Sequence, residues 1–108
     1  MVPHALAREG YILIIVADGR QALRVLEQEL PDLILSDLRL PRMDGWALFQ
    51  EVQARYPQIP FIAMSEHADS KEAIRKGFDA YVQKPFDIRY LVITVRWIIH
   101  EAKQKEQD

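Results

Sequence analysis

The chain has 108 residues, 49% of them apolar and 28% charged, with a formal net charge of −2 and no cysteine. It is long enough for one domain with a single core and too apolar to stay disordered. Near-neutral charge excludes a global field that gathers nucleic acid or anionic membrane, and the lack of cysteine excludes disulfides, thiolate catalysis and cysteine-held zinc.

In chain order, the first clear element is Tyr11–Val16 (YILIIV), an apolar run ended by Ala17-Asp18-Gly19 and read as a strand. It is too short to cross a bilayer, and the chain is expected to be cytoplasmic, with neither membrane nor nucleic acid as partner. Gln21–Leu30 carries Ala22, Leu23, Val25, Leu26 and Leu30 at helical spacing and stops at Pro31. Leu33–Leu35 is the core of a second strand, which runs into Ser36 and Asp37 before a loop marked by Pro41 and Gly45. Trp46, Leu48, Phe49, Val52 and Tyr56 define a second helical face, closed by Pro57. Ile59–Met64 is a third strand, Ala68–Lys76 a short helix ended by Gly77, and Ala80–Val82 a brief strand before Lys84-Pro85-Phe86. Asp87 is placed to cap a long last helix.

Strands alternating with helices through short connections predict a parallel sheet covered on both faces. Ligands of such sheets bind beyond the carboxyl ends of the strands, where Asp18, Asp37, Ser65 and Lys84 fall. Each of these alone reads more readily as a capping or solvated residue. Their coincidence at successive strand ends directs attention to one edge of the sheet.

The segments PDLILSDLRLPRMDG (Pro31–Gly45), PFIAMS (Pro60–Ser65) and GFDAYVQKPFD (Gly77–Asp87) resemble the receiver domain of two-component response regulators, single-domain chemotaxis-type members included. GYILIIVADGRQAL (Gly10–Leu23) resembles that family's second strand and second helix, so the likeness spans nearly the whole chain in order. The resemblance implies a flavodoxin-like, doubly wound parallel sheet. It implies that Asp37 accepts a phosphoryl group from a histidine kinase or phosphotransfer protein, and that Ser65 binds the phosphoryl oxygen and Lys84 pairs with it. The Asp37 carboxylate and the Arg39 backbone carbonyl would be Mg²⁺ ligands, Ser65 and Tyr81 would form the switch, and a cis bond would precede Pro85. The chemistry is physically coherent: an aspartyl nucleophile needs cationic stabilisation of the transferring group, which Mg²⁺ and Lys84 would supply.

The chain also departs from that pattern. The family opens with a strand ending in an acidic pair that holds Mg²⁺, whereas here only VPHALAREG precedes the second-strand motif. Residues 1–9 read as a remnant of the first helix, and the fold is expected to be truncated at its N-terminus, with four strands. With Asp37 as the one matched acid, Mg²⁺ binding should be weak or lost and phosphotransfer impaired. Glu66 stands where the family uses a small residue, adding bulk and like charge beside Asp37. The span from Ser65 to Tyr81 is about three residues short, which removes nearly one turn of helix.

The family's strand order is 2-1-3-4-5, so loss of the first strand would leave unpaired backbone on both sides of a gap. ILIIV is apolar throughout, as a strand buried on both faces would be. Two outcomes are expected: this strand slides into the vacant slot and pairs with Leu33–Leu35, or a partner chain fills the gap. Sliding would bring Asp18 near the place of the lost acids as a substitute metal ligand, against the simpler reading of an Asp-Gly turn.

His4, His67 and His100 show no metal-ligand spacing. Arg39 and His67 fall at positions that tune phosphorylation kinetics in the family. Ile88, Leu91, Val92, Val95, Ile98, Ile99 and Ala102 suffice for a packed face of the last helix, and Ile93 and Trp97 widen the stripe toward extra core or a dimer surface. Residues 103–108 read as a polar tail, either a polar helix end or a frayed terminus. The chain is therefore expected to be a single receiver-like domain over residues 1–108, signalling through a downstream protein partner rather than turning over a substrate. A phosphorylation-independent interaction or dimerisation module is the alternative.

Overall fold

The computed structural model describes residues 11–39, 43, 45–66 and 77–107. The predicted first-helix remnant, the predicted helix over 68–76, His4 and His67 lie outside them. The described elements are β1 (Leu13–Val16), α1 (Gly19–Gln28), β2 (Leu33–Asp37), α2 (Gly45–Arg55), β3 (Phe61–Ser65), β4 (Ala80–Gln83) and α3 (Ile88–Gln107). The four strands form one parallel sheet in the order β1-β2-β3-β4.

Period-2 alternation sends neighbouring strand residues to opposite faces, and both faces are covered, so the strands are apolar at almost every position. On one face Ile34, Phe61 and Ala63 meet Ala22 and Leu26 of α1 and Leu48, Phe49 and Val52 of α2. On the other, Leu33, Leu35, Ile62, Met64 and Val82 meet Leu91, Val95, Ile98 and Ile99 of α3. An aromatic group anchors the first layer: Phe49 lies edge-on to Phe61 at 5.3 Å, and both rings approach Phe78.

The predicted sliding of the Tyr11–Val16 strand is what the pairing shows. Leu13 is in register with Leu33 and Val16 with Ser36, so β1 lies directly against β2. Asp32 fixes the entry. Its N–H donates to the Ile12 carbonyl at 2.7 Å, its Oδ2 accepts from the Ile12 N–H at 2.8 Å, and its Oδ1 accepts from Lys103 Nζ on α3 at 3.0 Å.

Two expectations need correction. The β1 strand is not buried on both faces: Ile12 is 44% exposed and Ile15 is 43% exposed. In the sheet of described residues β1 is an edge strand, with a covering neighbour on one flank alone. Ile93 and Trp97 do not add to the core, being 64% and 61% exposed. They stand with Tyr90 on a stripe beside the Leu91, Val95, Ile98 and Ile99 face that the sheet occupies. Residues 103–107 continue α3, as the polar helix end that is one of the two readings of this segment.

Helix starts follow their caps. Asp18 Oδ1 accepts from the N–H groups of Arg20 and Gln21, so α1 begins two residues before the predicted start at Gln21. Asp87 Oδ1 accepts from the Arg89 N–H at 2.8 Å and opens α3 as predicted.

Phe61 is fully buried between β2, β4 and the aromatic group. Phe61→Ala should lower the unfolding free energy by about 3–5 kcal/mol, read as a shifted urea midpoint at unchanged slope.

Candidate functional site

The carboxyl ends of β2, β3 and β4 lie side by side. Asp37 is in register with Met64, one residue before Ser65, and Ser65 is in register with Gln83, one residue before Lys84. Parallel pairing therefore brings Asp37, Ser65 and Lys84 to one edge, as their positions in the sequence predict.

Asp37 is the centre of this edge. Lys84 Nζ forms an ion pair with Asp37 Oδ2, and the Arg39 N–H donates to Asp37 Oδ1 at 3.0 Å. Burial by itself raises the carboxyl pKa. The Lys84 ammonium and the N–H groups of Arg39 and Leu38 outweigh burial together and hold it below the ordinary aspartate value. The pair is still wetted, with 26% of the Asp37 side chain and 33% of the Lys84 side chain exposed, so it is open to a reactant.

The backbone around Asp37 is tied on both sides. Ser36 is fully buried in β2 and its Oγ donates to the Asp37 carbonyl at 2.8 Å. The Leu38 N–H donates to the Met64 carbonyl, and the Gly45 N–H to the Leu38 carbonyl. Gly45 permits the close approach of α2: a Cβ there would lie 2.5 Å from the Asp37 carbonyl oxygen and 2.7 Å from Leu38 Cα. The Gly45 that ends the Pro31–Gly45 motif is thus a steric requirement for seating α2 against the Asp37 turn. Gly19 plays the same part toward the loop, since a Cβ there would meet the Met43 carbonyl at 2.6 Å.

Ser65 is 6% exposed at the end of β3. Its carbonyl accepts from the Tyr81 hydroxyl at 3.0 Å and from the Lys84 N–H at 3.0 Å. The phenol of Tyr81 is thereby fastened to the backbone of the hydroxyl residue, and the strand carrying Lys84 is fastened to the strand carrying Ser65. The Lys84–Pro85 peptide bond is cis. Glu66 is exposed immediately beyond Ser65.

Asp18 ends the loop after β1, beside the edge, and its carboxylate caps α1. Among the described residues no group of three or more His, Asp or Glu side chains is placed to hold a metal ion. His100 is exposed on α3, away from these strand ends in sequence and element. Reading the sequence alone missed Ser36, Asp32 and the steric role of Gly45. A hydroxyl inside an apolar strand (Leu35-Ser36-Asp37) was the available signal for Ser36.

A parallel sheet that presents an aspartate, a hydroxyl and a lysine on three successive strand ends gathers them at the edge where ligands of such sheets bind. The family model described as the response regulator receiver domain matches residues 1–96. The chain belongs to this family, with the flavodoxin-like fold and the place in two-component signalling that go with it. It is 34% identical over 110 residues to the DNA-binding transcriptional regulator NtrC of Escherichia coli (strain K12), covering 99% of this chain and 24% of the relative. It is 37% identical over 102 residues to the regulatory protein LuxO of Vibrio vulnificus (strain YJ016), covering 92% of this chain and 22% of the relative. The chain thus spans about a quarter of the length of these curated relatives. Among solved structures, the receiver domain of NtrX from Brucella abortus superposes with a TM-score of 0.79 at 28% identity, covering 92% of this chain and 87% of that one. The signal receiver domain of a histidine kinase from Syntrophus aciditrophicus gives a TM-score of 0.76 at 31% identity, covering 93% and 80%. Receiver domains generally bind Mg²⁺ at their phosphorylation site.

Because the folded-state pKa of Asp37 lies below its unfolded value, the ionised carboxylate adds stability above the ordinary aspartate pKa of about 3.9, and that stability is lost as pH falls through the folded-state value. Lys84→Met removes the main opposing charge and leaves burial in place. Carbon-13 titration of the Asp37 carboxyl should then show its midpoint moved upward from the wild-type position.

Proposed function

We propose that this domain is a response regulator receiver in which Asp37 is the phosphoacceptor and Mg²⁺-dependent phosphorylation is impaired. The observation that supports this most is the contact of Lys84 with the Asp37 carboxylate, with Arg39 N–H on the other oxygen. In the reaction the phosphorus–nitrogen bond of a phosphohistidine donor breaks, an Asp37 oxygen forms the new bond to phosphorus, and the imidazole nitrogen leaves with the bonding pair. Lys84 is placed to stabilise charge on the transferring group, and the Ser65 hydroxyl to receive a phosphoryl oxygen. Tyr81, held to the Ser65 carbonyl, is the residue that would report the change to a downstream protein. A histidine kinase or phosphotransfer protein is the donor, and the cytoplasm the compartment; among the described residues no helix is long and apolar enough to cross a membrane.

The residues present do not fit Mg²⁺ well. The slot beside β2 is filled by β1, whose end offers Asp18, and that carboxylate is committed to capping α1. Mg²⁺ dehydrates reluctantly and is usually held by one or two carboxylates, so Asp37, already engaged by an ammonium and with no group of three such ligands around it among the described residues, is a poor site. Glu66, one residue past the hydroxyl, is exposed and brings a negative charge close in sequence to the site. The engagement of Asp18 and Asp37 also favours a second reading, a receiver-like module that binds partners without phosphorylation.

Incubation with Mg²⁺ and acetyl phosphate, followed by intact-mass measurement, separates these readings. The expected result is a slow, partial phosphoryl adduct, absent in Asp37→Asn and little changed by chelation of Mg²⁺. Rapid, complete, Mg²⁺-dependent modification of Asp37 would refute the impairment, and no adduct under any condition would favour the phosphorylation-independent module.

A further inference from the structure

The sheet has two edges, and they differ in character. The β4 edge is bounded by Asp79, an exposed Gln83, Lys84 and the exposed, cis-linked Pro85, the kinds of residue that blunt an edge strand. The β1 edge has no such protection. From Tyr11 to Ala17 there is no charge, proline or glycine, and Ile12 and Ile15 are 44% and 43% exposed. An apolar, uninterrupted edge strand is a template for pairing with another chain.

The direction of the backbone groups can be followed residue by residue. Ile12 turns both its N–H and its carbonyl toward Asp32, at the entry of β2. Backbone groups alternate sides along a strand, so Ile14 and Val16 also turn theirs to β2, while Leu13 and Ile15 turn theirs outward. Among the described residues nothing pairs with that outer side.

We propose that β1 is a homodimerisation edge, on which a second copy of this chain pairs its own β1 antiparallel across a two-fold axis. The inference does not depend on the chemistry of Asp37. The outward pattern is self-complementary: Leu13 exchanges N–H and carbonyl hydrogen bonds with Ile15 of the second copy, and Ile15 with Leu13 of the second copy. Ile14 then faces Ile14 of the second copy at the axis, in the non-hydrogen-bonded position where Cα atoms approach to about 4.5 Å. The same register covers the exposed apolar side chains. Ile15, on the α3 side of the sheet, comes beside Leu13 of the second copy; Ile12, on the other side, comes beside Val16 of the second copy. No like charges are brought opposite one another within the strand. An isologous pairing also closes, leaving among the described residues the two blunted β4 edges, whereas pairing β1 with β4 head to tail would build an open filament.

Light scattering on the eluting 108-residue chain should give a dimer mass in the micromolar concentration range. Ile15→Lys places a charge in the pairing register at a position already half exposed. It should weaken dimerisation at least tenfold while leaving the circular dichroism spectrum unchanged. Because the chain contains no cysteine, Ile14→Cys should form an intermolecular disulfide under mild oxidation, and Ile12→Cys, whose two copies lie far apart in this register, should not. A folded wild-type monomer, a larger polymer, or a dimer insensitive to Ile15→Lys and cross-linked through Trp97→Cys instead of Ile14→Cys would each overturn the proposal.

Discussion

The parallel pairing of Leu13–Val16 with Leu33–Asp37 is the contact on which the other features depend. Backbone N–H and carbonyl groups inside a sheet must be paired, and an unpaired row beside the buried β2 strand would be costly. β1 satisfies that row, with Asp32 holding its entry through two hydrogen bonds to Ile12 and a third contact to Lys103 of α3. Because β2 is thus flanked on both sides, its end is held in place, and Asp37 is presented by a braced strand rather than a loose one. The same pairing sets the cost: in the sheet of described residues a strand with no charge or proline is the outer edge, and Ile12 and Ile15 are left partly in water.

The site inherits this arrangement. Around Asp37, Ser36 and Gly45 secure the backbone, Lys84 and Arg39 occupy the two carboxylate oxygens, and Tyr81 and Lys84 bind the Ser65 carbonyl. Among the described residues, the positive charge beside Asp37 is the Lys84 ammonium. Asp18, just past the end of β1, caps the start of α1. Among the described residues the site is a carboxylate on a braced strand with the Lys84 ammonium beside it.

Much of this was legible in the residues. The apolar runs at Leu33–Leu35 and Ile59–Met64, the Pro and Gly stops and the caps at Asp18 and Asp87 are local signals, and they place the elements to within a few residues. The convergence of Asp37, Ser65 and Lys84 followed from parallel topology alone. Other features are set by tertiary context. Ile15 and Ile93 are as apolar as the residues that reach the core, and only the positions of the sheet edge and of the sheet-facing side of α3 decide that they stay exposed. The roles of Gly45 and Gly19 depend on distances of 2.5 Å and 2.6 Å to the backbone of Asp37 and Met43, which no spacing in the sequence encodes. Asp32, in a loop before β2, carries no local sign that it will bind a strand start and a helix end at once.

The central claim, that β1 lies directly beside the strand carrying Asp37, is tested most directly by interstrand nuclear Overhauser effects in the isotopically labelled chain. Parallel pairing in this register predicts amide and α-proton contacts linking Ile14 to Leu33 and Leu35, and Val16 to Leu35 and Asp37. Absence of these contacts, with Leu33–Asp37 paired on that side to some other segment, would contradict the account.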